Sequence, residues 1–94
     1  RLSPPELAKS LERMKALELH PRDRMEVRAL IARAERHHAQ LLGMWRSLLA
    51  DAITEFEAAL ETQDERKFAQ PRRQLLALLA RVESEQYLAD VERP

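Results

Sequence analysis

The chain has no cysteine, a single glycine and few aromatic residues, and its basic and acidic side chains number sixteen each. Each shortage excludes something. Without cysteine there is no disulfide framework and no thiolate metal site, which fits a reducing compartment, and the expected location is the cytoplasm. One glycine and no alternating β-branched run leave little material for turns or strands, so the fold expected is all-α. The cancelled charge removes the long-range attraction used by nucleic-acid and anionic-membrane binders, and neither is expected as a partner. The longest apolar run, Leu75 to Ala80, is too short to cross a bilayer, and no signal-peptide pattern opens the chain. The chain starts at Arg1 rather than at a methionine and stops at Pro94, which suggests a piece of something larger.

What is present is leucine, alanine, glutamate and arginine in helical spacing. Ninety-four residues suffice for one domain with its own core. From Asp23 to about Gln63 the apolar positions Val27, Ile31, Ala34, Leu42, Trp45, Leu49, Ile53, Phe56 and Leu60 form a single row, with His38 filling the one gap. The steps repeat as four, three, four, an eleven-residue period of roughly 3.67 residues per turn that keeps the stripe on one face of a straight helix. The pattern predicts one continuous rod over residues 24–62, about 60 Å long. Gly43 lies inside it without shifting the register, either admitting a close neighbour or standing as a tolerated surface glycine.

Two shorter helices flank the rod. Ser3-Pro4-Pro5-Glu6 reads as a capped start for a first helix over residues 5–18, whose apolar face is Leu7, Leu11, Met14 and Leu17. His20-Pro21-Arg22 breaks it, Asp23 with Glu26 recaps the chain, and so short a connection predicts that the first helix folds back along the rod. Thr62-Gln63-Asp64 ends the rod and caps a last helix over 65–88, with Phe68, Leu75, Leu78, Leu79, Val82 and Tyr87 turned inward. Pro71 should kink that helix or mark its restart. The fold expected is an elongated antiparallel bundle of three helices built on one long central helix, with thin cover near His37, His38 and Leu41. The acidic end of the rod, Asp51 to Glu61, is expected to face the basic start of the last helix, Arg66 to Arg73.

Sites of chemistry are scarce. His37 and His38 are adjacent, point about 100° apart on a helix and do not chelate as a pair four residues apart would, so no metal is expected. No glycine-rich phosphate loop, nucleophile elbow or cysteine nucleophile is present, and the carboxylates lie on a polar flank, so neither catalysis nor a cofactor in this chain is expected. Trp45 reads as a core residue, and its exposure would instead mark an interaction site. Arg22, Arg24 and Arg28 form either a solvated face or a surface that docks another domain.

Two stretches resemble a known family. Leu49 to Val82, LADAITEFEAALETQDERKFAQPRRQLLALLARV, looks like the end of the helical lid in DnaK-type chaperones of the seventy-kilodalton heat-shock family. Met14 to Glu35, with LELHPRD and VRALIARAE, is similar to the lid of its HscC-like branch. The resemblance implies a non-catalytic helical lid over a β-sandwich peptide-binding domain that slows the release of unfolded client peptides, with ATP bound by a separate domain. Pro71, the short first helix and the absence of an acidic docking motif at the tail depart from the family pattern. The alternative is a stand-alone helical adaptor or dimerisation module, burying the apolar surface of the rod against a second copy.

Overall fold

The first structured feature after the His20-Pro21 break is a single 3-10 turn, Pro21–Asp23, opened by His20, whose Nδ1 accepts a hydrogen bond from the Arg22 backbone N–H at 3.2 Å. The computed structural model describes residues 3–9 and 20–91. Residues 4–9 are helical (α1), with the Ser3 N–H donating to Glu6 Oε2 as the Ser-Pro-Pro-Glu start predicts. The rest of the expected first helix, and its packing along the rod, falls outside the described residues. Three helices follow: α2, Met25–Gln40; α3, Gly43–Glu61; and α4, Glu65–Val91. Asp23 lies in the 3-10 turn, and the position preceding α2 is Arg24, which makes no side-chain capping bond, so the expected Asp23–Glu26 cap is not formed.

The all-α, elongated bundle holds, but the central rod does not. Leu41 and Leu42 are extended, Gly43 takes φ of +63°, and the chain reverses there. The reversal is fixed by pairs that a straight rod would hold tens of ångströms apart: Arg22 Nη1 reaches Glu61 Oε1 at 2.7 Å, and Arg24 Nη1 reaches Glu65 Oε1 at 2.6 Å. Helix α2 therefore runs antiparallel to α3 and parallel to α4. Burial supplies the reason. Folded back, Val27, Leu30 and Ala34 of α2 join Leu49, Ile53, Phe56 and Leu60 of α3 and Phe68, Leu75 and Leu79 of α4 in one apolar cluster. At about 25 cal/mol per Å² of apolar area removed from water, this outweighs the few helical hydrogen bonds lost at the break.

Gly43 supplies the left-handed torsion that reversal needs. A Cβ added there meets nothing within 4 Å, so substitution acts through the backbone alone. Gly43→Ala is expected to lower stability by about 1 kcal/mol, because an L-residue resists this torsion. In a continuous helix the same change would raise stability by about as much. The sign, read from urea midpoints, separates the two architectures.

The α3–α4 connection is as the sequence specifies. Thr62 Oγ1 donates to the Ala59 carbonyl at 2.6 Å, the Asp64 N–H donates back to Thr62 Oγ1, and Asp64 Oδ1 caps α4 by accepting from the Arg66 N–H at 3.0 Å. Gln63 carries the turn with φ of 56°. Beyond it, α4 is a single helix that passes through Pro71 without interruption, so it does not restart there.

Candidate functional site

Of the expected stripe, Val27, Ala34, Leu49, Ile53, Phe56, Leu60, Leu75, Leu79 and Val82 are buried, and Ile31, His38 and Trp45 are half-buried. Leu42 is not in the core: it is 81% exposed, because it belongs to the extended link at the reversal. Tyr87, expected inward, is 68% exposed on the last turns of α4, beyond the reach of the core cluster. Leu30 is a core residue that the periodic row passes over. Its spacing from Val27 and Ala34 was readable, but the row through Ile31 fits a rod better.

Charge joins the helices along α2. Arg33 makes a bidentate bridge to Glu83, Nε to Oε2 at 2.7 Å and Nη2 to Oε1 at 2.5 Å, and His37 Nε2 lies 2.9 Å from the same Oε2. The Arg33 hydrogen bonds, aided by His37, hold the Glu83 carboxyl down at about 2, and the Arg33 guanidinium is raised in turn. His37 is thus the partner of an acid on α4, and the seam position falls to His38. A carboxylate whose folded pKa is depressed stabilises the fold above its unfolded value near 4.5 and loses that contribution as pH falls through about 2. Glu83 is partly open to solvent, so screening reduces the effect: Glu83→Gln is expected to cost about 1 kcal/mol at neutral pH, with the difference from the parent chain shrinking steadily below pH 4.5. Denaturant midpoints of the two chains at neutral and acid pH measure it.

The candidate docking arginines separate. The end of α3 faces the start of α4 across the Thr62–Asp64 turn as expected, with Arg72 lying over Phe56, while Arg22 and Arg24 are engaged with Glu61 and Glu65. Arg28 is exposed and lines a groove of about 820 Å³ between α2 and α3, together with Met25, Ala29, Ala32, Glu35, Glu57 and others.

The other end of the bundle is apolar. Leu42, Met44 and Leu48 are exposed around the reversal, and Trp45 is half-buried beside Leu41, Val82, Gln86 and Ala89, with the Arg81 guanidinium 6.0 Å from its ring centroid. Residues distant in sequence thus converge on one apolar end. The reading of a continuous rod placed Leu42 and Trp45 in the interior instead. Among the described residues, no group of three histidine or acidic side chains is placed to hold a metal ion, and no helix is long and apolar enough to cross a membrane. No known family model matches the chain, and no solved structure is similar to it.

Proposed function

We propose that the chain is a non-catalytic helical docking module, and specifically the lid of the substrate-binding region of a cytoplasmic DnaK-type chaperone, covering the peptide cleft and slowing client release. The observation that carries this reading is the coincidence of the lid-like stretch Leu49 to Val82 with the tightest part of the fold: α3, its Thr62–Asp64 turn and α4 through Val82. In this form the lid is a folded-back bundle rather than a rod. Its apolar end at Leu42, Met44 and Leu48 is the surface offered to the β-sandwich domain, and ATP belongs to another domain of the parent protein.

Two measurements test the reading. The coding sequence upstream should specify an ATPase domain and a β-rich segment. In the parent protein, with nucleotide held constant, deletion of residues 1–94 should speed release of a fluorescent client peptide by about tenfold, an effect on the off-rate. Unchanged release overturns the lid. The exposed leucine and methionine side chains at the reversal also favour a second reading, an adaptor that pairs with another copy. A sedimenting dimer of the isolated chain, weakened by Leu42→Glu, would select it.

A further inference from the structure

Helix α4 has an apolar row on each of two opposite sides. Leu75, Leu79 and Val82 are buried on the inner side, while Ala77, Ala80, Ser84, Tyr87 and Val91 fall on the outer side and are all exposed. The outer row steps by three, four, three and four residues, the spacing of a coiled-coil seam. No charged residue interrupts it between Ala77 and Val91. The charges that flank its middle are drawn to partners within the molecule: Arg81 lies 6.0 Å from the Trp45 ring centroid and pairs with Glu85, and Glu83 is held by Arg33 and His37. An uncharged helical face is thus left open to solvent.

We propose that this outer face of α4 pairs with the same face of a second copy, forming a two-helix seam between two bundles. Three observations favour that occupant. The first is fit: a row stepping by three and four is filled by another helix with the same row, and a second α4 supplies one, with Ala77, Ala80 and Ser84 allowing close approach and Tyr87 and Val91 as the larger knobs. The second is area. Tyr87, Val91 and, beside the row, Leu88 are 68%, 61% and 49% exposed. With the three small residues they offer roughly 500 Å² on each copy, so two copies together reach the threshold of about 1,000 Å² for a specific interface, at its weak end. The third is charge: sixteen basic and sixteen acidic side chains leave no net charge to hold two copies apart. This face is separate from the apolar end at Leu42, Met44 and Leu48, so the proposal stands or falls independently of the lid.

Sedimentation equilibrium of the whole chain at concentrations from about 10 µM to about 1 mM tests the proposal. The average mass is expected to rise from that of a monomer towards twice that value and no further. Ala80→Lys and Tyr87→Lys each place a cation in the seam, and each is expected to raise the dimer Kd by about tenfold or more, while Leu42→Glu at the reversal changes it by less than about twofold. Both α4 positions are exposed, so the variants should keep the parent's cooperative melt, and if one loses it the other is read alone. A chain that stays monomeric at about 1 mM overturns the proposal. So does a dimer that neither α4 change weakens, and if Leu42→Glu alone dissociates it the contact belongs to the reversal.

Discussion

Phe56→Ala is expected to destabilise the bundle by about 3–5 kcal/mol, the cost of removing a fully buried aromatic ring and leaving much of its volume empty. Phe56 has no exposed surface, and it belongs to the apolar cluster that α2, α3 and α4 build together. The Arg72 guanidinium lies 5.9 Å from its ring centroid and 5.8 Å from that of Phe68, so truncation also strips one of the two aromatic faces from a cation held at the α3–α4 interface. A domain of this size has about 5–10 kcal/mol to lose in total, so the variant should be largely unfolded near body temperature. The instructive control is Leu42→Ala. The sequence row treats Leu42 and Phe56 as equivalent members of one stripe, but the folded-back chain leaves Leu42 exposed, and its truncation should change stability by less than about 0.5 kcal/mol. Urea denaturation of both variants measures the contrast.

The second large effect runs the other way. Pro71 lies inside α4, where it has no N–H to give to the Lys67 carbonyl and its ring crowds that same group. Pro71→Ala restores the bond and removes the clash, against a loss from the greater freedom of the unfolded alanine chain. The net gain expected is about 2 kcal/mol, or a rise in Tm of about 10 °C for a domain of this size. An unchanged Tm would mean that the helix has already adjusted around the ring.

Helix content, the His20-Pro21 break, the Thr62–Asp64 turn and most of the core were readable from local chemistry, because each depends on neighbours in sequence: a proline's missing donor, a threonine and an aspartate placed to cap, leucines on one face. The reversal at Leu41–Gly43 was not. Both α2 and α3 turn apolar faces to the same core, so their stripes happen to join in phase across the link, and a periodic row cannot tell a rod from a hairpin when the phase is kept. The ambiguity lay at Gly43, whose torsion decides the path. The charges carried the missing information in part. An acidic end and two arginine-rich starts were evident, and a hairpin also lets Glu61 meet Arg22, a pair that a rod would hold at opposite ends. Leu30 was lost for the same reason as Leu42 was wrongly gained, since each was judged against a straight axis. The site followed the fold: an apolar end assembled from the link, the start of α3 and the end of α4 has no counterpart on a rod.

The central claim is that the chain doubles back between α2 and α3. Spin labels at Asp23 and Thr62, with the separation read by pulsed electron resonance, test it most directly. Packed neighbouring helices predict a distance under about 20 Å, and a peak near 60 Å, the length of an unbroken helix between those positions, would contradict the account.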